Sequence, residues 1–179
     1  SAMYPLLTNL LIGGNVKPGD RIVVAGSNVW FRGLYEIVRT VLVTNLGTGP
    51  VPDPAPFTLA DMQNGAPFAE DHESMYVTVS GVYFTTAGNF ASGANYTVTD
   101  EIYSATLRVQ DITDPLVGTP IPTLPCVIDA IMSQYSSNNP GILYTDGYQL
   151  LPLRVTPIPE PALLLAAGLL LVWLGRHAR

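Results

Sequence analysis

Hydrolytic chemistry needs paired carboxylates, a nucleophile with its base, or a metal cluster, and few residues of this chain could supply them. There are two histidines, one cysteine and one lysine. His72 stands in Glu70-Asp-His-Glu73, where three carboxylates and an imidazole offer ligands to a hard divalent cation such as calcium. Four sequence neighbours rarely converge on one ion, and the same run reads as a solvated acidic loop leading into a strand. Asp111-Ile-Thr-Asp114 reads as a turn with exposed acids. Cys126 has no histidine to activate it, and its apolar setting, Leu124-Pro-Cys-Val-Ile128, predicts burial. Ser80-Gly81 and Ser92-Gly93 lack the Gly-x-Ser-x-Gly frame of a nucleophile elbow. Gly13-Gly14 and the glycines of 88–93 lack the lysine and helix of a phosphate loop. The residues therefore predict a chain that is not an enzyme and needs no cofactor. A metal site at Glu70, Asp71 and Glu73 stays open as an alternative.

The elements that must carry these residues are mostly strands. Lys17-Pro-Gly-Asp20 is a turn, and 21–30 (RIVVAGSNVW) reads as a strand interrupted at Gly26 by a bulge. Arg32-Gly33 reverses the chain into a second strand over 34–45. Residues 47–56 hold four prolines in ten and read as an extended linker, followed by a short helix within 57–65 capped by Thr58. A strand of period two occupies 76–86, again with a glycine, Gly81, in its middle. Strands follow over 95–100 and 104–111, joined by Glu101-Ile-Tyr103. After a Pro-rich crossover, 127–135 and 148–156 form the last pair; β-branched content and short length favour strand over helix for VIDAIM.

Composition narrows the class. With 179 residues, 47% hydrophobic and 12% charged, the chain supports one ordinary core and a tail. Sixteen glycines and sixteen prolines favour a turn-rich β protein. A single cysteine forbids an intrachain disulfide. Without Arg176 and Arg179, six basic residues face fourteen acidic ones, the wrong sign for a surface that grips phosphates. Nucleic acid is therefore a disfavoured partner.

The last residues specify an address. Residues 162–174 (ALLLAAGLLLVWL) carry no polar side chain, follow Pro161, and end at Arg176 and Arg179. An uncharged, Leu-rich and Ala-rich run of this kind is expected to be a helix that enters a membrane, with the basic end on the cytoplasmic side; it is short for a crossing, and a terminal core helix is the competing reading. Together with Pro159, Glu160 and Pro161, this tail resembles the PEP-CTERM sorting signal. That resemblance covers about the last 23 residues and implies recognition by a membrane-embedded exosortase in a Gram-negative bacterium, with release to the cell surface or the exopolysaccharide matrix. No amino-terminal export signal is visible in Ser-Ala-Met-Tyr-Pro-Leu-Leu. Either the chain is a piece of a longer precursor or its first three residues are foreign to it.

The second half carries another resemblance. Glu73-Ser-Met75 leading into VTVSGVYF, Asn89-Phe90, residues 95–100 (NYTVTD), Leu107-Arg-Val109 and Asp146-Gly-Tyr-Gln-Leu150 are similar to OB-fold modules found beside the catalytic domain of secreted bacterial nucleases. The first hairpin resembles the closing strands of a preceding copy. The expected architecture is all-β: a partial OB-like hairpin over 1–46, a Pro-rich linker over 47–68, an OB-like five-stranded Greek-key barrel over 69–157, and a sorting tail with a transmembrane helix over 158–179. Binding modules of this kind use aromatic platforms and a cationic groove, for which Tyr96, Phe90 and Arg108 are the candidates. Tyr96 packed in the barrel and Arg108 paired with a neighbouring acid is the competing reading. No catalytic domain accompanies the module. The combined expectation is a non-catalytic exported protein whose module binds or spaces polymers such as exopolysaccharide; a nuclease-associated nucleic-acid adaptor and a calcium-binding module are the alternatives.

Overall fold

The computed structural model describes residues 16–17, 19–137 and 145–159. Within them Asp20–Phe31 (β1) and Leu34–Thr48 (β2) form an antiparallel ribbon of their own. The reversal is a two-residue turn with positive φ at both positions, Arg32 at 56° and Gly33 at 94°, which matches the right-handed twist of the flanking strands. The register shifts between Ala25 and Ser27, where Gly26 alone stands opposite 39–41, so the irregularity falls at the predicted glycine while the added residues are on β2. Trp30 and Tyr35 sit opposite each other with ring centroids 4.7 Å apart. Many other apolar side chains of the ribbon face solvent, Val23 at 47%, Leu42 at 52% and Leu46 at 56% exposure among them. A lone two-stranded ribbon is marginal in water, so the contacts at its turn matter for its placement.

The remaining strands are Ala55–Phe57 (β3), Tyr76–Phe84 (β4), Asn95–Thr99 (β5), Ser104–Arg108 (β6), Cys126–Gln134 (β7) and Tyr148–Pro157 (β8). The sheet runs β3-β4-β5-β6-β8-β7, and β7 also pairs with β4, so β4 through β8 close into a five-stranded barrel. All barrel pairings are antiparallel except β6 with β8. Closure depends on Gly81. Its φ of 75° accommodates an extra residue between Ser80 and Val82, so the inward set changes from Val77 and Val79 to Val82. The resulting bend lets β4 pair with β7 over Tyr76–Val82 and with β5 through Tyr83 and Phe84.

The core gathers Val98, Leu107, Ile128, Met132 and Leu150 from four strands, all fully buried. It also takes residues from the stretch read as linker. Phe57, Leu59 and Met62 are buried in the same cluster, so the apolar residues that follow the four prolines of 47–56 pack with the barrel rather than serving only as linker. The expected helix is a single 3-10 turn, Ala60–Met62, and Thr58 and Asp61 cap one another as the sequence suggests, through N–H···O contacts of 3.0 and 3.3 Å. A five-residue helix, Pro67–Asp71 (α1), was not anticipated; Pro67 supplies the fixed φ that opens it.

Asp129 is 3% exposed and accepts a 2.9 Å hydrogen bond from Nε of Arg154, its register partner on β8. Replacing Arg154 with Met should destabilise the fold by about 2 kcal/mol, because a buried carboxylate loses its donor. Asp129→Asn in the same background should recover part of that loss in a urea titration.

Among the described residues no helix is long and apolar enough to cross a membrane. The expected transmembrane helix, Glu160 and Pro161 of the sorting motif, and Arg176 and Arg179 lie outside the described residues; Pro159, the last one described, is exposed.

Candidate functional site: a neutral groove beside the β5–β6 hairpin

Alternation along β5 and β6 separates two faces. Val98 and Leu107 point into the barrel, with Tyr96 and Ala105 on the same side in register. Asn95, Thr97 and Thr99 of β5, opposite Arg108, Thr106 and Ser104 of β6, form the outer face. Where the 3-10 segment passes this hairpin, an open groove of about 620 Å³ forms, lined by Gln63, Asn64, Thr97, Ser104, Thr106 and Tyr148 among others. The Gln63 amide is oriented by two donated bonds, to the carbonyl of Leu59 at 2.7 Å and of Ser104 at 3.2 Å. Its carbonyl oxygen, the Asn64 amide and three hydroxyls present neutral donors and acceptors. Such a lining can exchange hydrogen bonds with an uncharged hydroxylated chain.

The aromatic candidates are placed elsewhere. Phe90 is 2% exposed and packs edge-on against Phe84 and Tyr96, at 5.2 and 5.0 Å, so its reading as a ligand-facing ring is corrected. Period two puts Tyr96 on the inner face, and its hydroxyl accepts a 2.6 Å bond from the Ala91 N–H. Arg108 donates to the Gly93 carbonyl at 2.6 Å and to Asn95 Oδ1 at 3.0 Å. Phe90 and Tyr96 thus lie together while Arg108 is on the opposite face of the hairpin, and Tyr96 and Arg108 tie down the loop between β4 and β5. Of the other arginines, Arg154 is bound to Asp129, and Arg32 donates to the Ser137 carbonyl with its guanidinium 5.1 Å from the Tyr135 ring centre.

Nor are the three carboxylates gathered around one point. Among the described residues there is no group of three or more His, Cys, Asp or Glu able to hold a metal ion. Glu70 accepts from the Tyr148 hydroxyl and, at 3.5 Å, from Gln134 Nε2, while Asp71 is exposed. His72 donates from Nδ1 to the Phe68 carbonyl at 2.7 Å and stacks near Phe57. The three residues of the calcium reading therefore do not form such a group, although Glu70 lies close enough to Glu73 to repel it. Cys126 is fully buried, with its Sγ 3.1 Å from the Leu124 carbonyl, and burial pushes its thiol pKa up.

Reading the sequence for aromatics and cations missed the groove. The available signal was the run of small hydroxylated residues at alternate positions of 95–99 and 104–108. Comparison with protein-family models, curated proteins and solved structures returned no match, so the chain is read from its own residues.

Proposed function

We propose that this chain is a non-catalytic exported protein, carried to the cell surface or extracellular matrix by an exosortase acting on its tail, whose OB-like module holds a neutral polysaccharide. The strand order β4-β5-β6-β8-β7 with closure onto β4, a bulged first strand and a parallel β6–β8 contact supports the OB assignment. The observation that carries the ligand class is the neutral groove: hydroxyls and amides converge there, whereas Arg32, Arg108 and Arg154 are held by protein acceptors. No basic residue lines this groove, and such a lining gains little from counterion release, the main source of affinity for a phosphate backbone. The sequence of residues 159–179 supports the sorting step.

Titration of the chain with a neutral polysaccharide and with single-stranded DNA, each at 50 and 200 mM salt, separates the readings. The expected result is polysaccharide binding that is insensitive to salt and is weakened about tenfold by Thr106→Val, which removes a groove hydroxyl and keeps the shape. Tight DNA binding that falls steeply with salt would replace this reading with the nuclease-associated adaptor. Fractionation in strains with and without the exosortase tests the address: equal retention in the membrane in both contradicts it.

A further inference from the structure

We infer that Gln134 is a positioning residue of the groove: the Arg32–Gly33 turn of the ribbon clamps its side chain, and that side chain holds the 145–148 wall. On the reading of the groove as a polysaccharide site, seating of the turn then sets its affinity. The ribbon meets the barrel at this turn. Ser136 N–H donates to the Arg32 carbonyl at 2.7 Å, and the Arg32 guanidinium donates to the Ser137 carbonyl at 3.2 Å. Phe31 and Tyr135 approach edge to face with centroids 6.3 Å apart. These contacts lay Gly33 on the Gln134 amide, so closely that a Cβ there would fall 2.1 Å from Gln134 Oε1 and 2.4 Å from its Cδ.

From the other side Gln134 reaches the groove wall. It is 2% exposed, and its Nε2 donates to the Asp146 carbonyl at 2.9 Å and approaches Glu70 Oε1 at 3.5 Å. The same Glu70 oxygen accepts from the Tyr148 hydroxyl. One amide therefore bears on the carbonyl just before Gly147 and on the acceptor that fixes Tyr148, and both of those residues line the groove. The wall has two further ties. The Thr145 carbonyl accepts from Gly65 N–H at 2.9 Å, next to Asn64 of the lining, and the Gly147 carbonyl accepts from Tyr135 N–H at 2.8 Å. Gln134 is the tie that also touches the ribbon.

Holding a glutamine side chain in one rotamer costs conformational entropy. With the turn seated, Gly33 already excludes other positions of the amide; with the turn lifted, the amide must be ordered each time the wall closes. One neutral hydrogen bond shifts an equilibrium by about fivefold. A site whose wall is in place only part of the time binds more weakly by that fraction, so affinity should follow the wall.

The test is hydrogen exchange at residues 145–150 of the full chain without ligand, with residues 126–130 of the barrel as reference, alongside titration with dextran, a neutral polysaccharide. Gly33→Ala, which drives a methyl into the Gln134 amide, should lower protection of the wall about fivefold and weaken dextran binding to the same degree. Gly47→Ala is the control. It has the same φ of 94° in the same ribbon, but nothing lies within 4 Å of the added methyl, so the wall should keep its protection. In a Gln134→Ala background, where the wall is already loosened, Gly33→Ala should add nothing further, because the link is gone. Unchanged wall protection in Gly33→Ala overturns the clamp. So does an equal loss in Gly47→Ala, a full further loss in the double variant, or loss of barrel protection in step with the wall. Since exchange is read without ligand, dextran failing to bind the wild-type chain would sink the polysaccharide reading alone, and wall protection would still decide the clamp.

Discussion

Gly147→Ala should lower the thermal midpoint by about 10 °C. Gly147 has φ of 75°, a conformation that costs an L-residue about 1–2 kcal/mol. A Cβ at that position would also lie 2.6 Å from the Tyr135 carbonyl oxygen and 2.7 Å from the Ser136 nitrogen. Those atoms are backbone, and the neighbouring strand ends hold them: Tyr135 N–H donates to the Gly147 carbonyl at 2.8 Å, and Ser136 N–H is committed to Arg32. No side-chain rotation can relieve the overlap, so the total cost should reach about 3–4 kcal/mol. Gly118→Ala is the control. Its φ of 83° imposes similar conformational strain, but nothing lies within 4 Å of the added methyl, and about 1–2 kcal/mol is expected. Similar midpoints for the two variants would show that the close approach of β7 and β8 at Gly147 is not tight in solution.

Leu107→Ala should destabilise the barrel by about 3 kcal/mol in a denaturant titration, within the range for truncating a buried leucine. Leu107 is fully buried at the centre of β6, which pairs with β5 on one edge and β8 on the other. Closed sheets cannot easily collapse onto a void, because the hydrogen-bonded strands fix the distance across the core. Truncation of Ile102, 81% exposed at the β5–β6 turn, should by contrast change stability by less than about 0.5 kcal/mol. Equal effects at the two positions would contradict a single packed core.

Local features of the fold were legible before the structure. Glycines 26 and 81 interrupt otherwise regular strands, and both mark register shifts. Arg32-Gly33 gives the hairpin turn, and the alternation in 76–84, 95–99 and 104–108 gives three barrel strands. Thr58 announced the start of a helical turn, although the turn stops after three residues. These signals are local because backbone conformation and side-chain period are properties of a few neighbouring residues.

The functional residues were harder to read. Phe90 and Tyr96 look like a binding platform in a list of aromatics, yet the register of β5 on β6 turns Tyr96 inward, and Phe90 follows it into the core. Residues 57–68 look like connection after four prolines, and only packing reveals that Phe57, Leu59 and Met62 belong to the barrel. The contacts of Glu70 with Tyr148, 78 positions apart, and of Arg32 with Ser137, 105 apart, have no signature in sequence spacing.

By itself the sequence determined the β class, the kinks and turns of its strands, the acidic balance and the apolar tail, since each follows from composition or from residues within one element. Only the tertiary structure decided the closure of the barrel, the face each strand presents, the groove beside β5 and β6, and the contact of the ribbon's turn with Gln134 and Ser136. Those depend on which distant segments pack together, and packing energies are collected across the chain rather than along it.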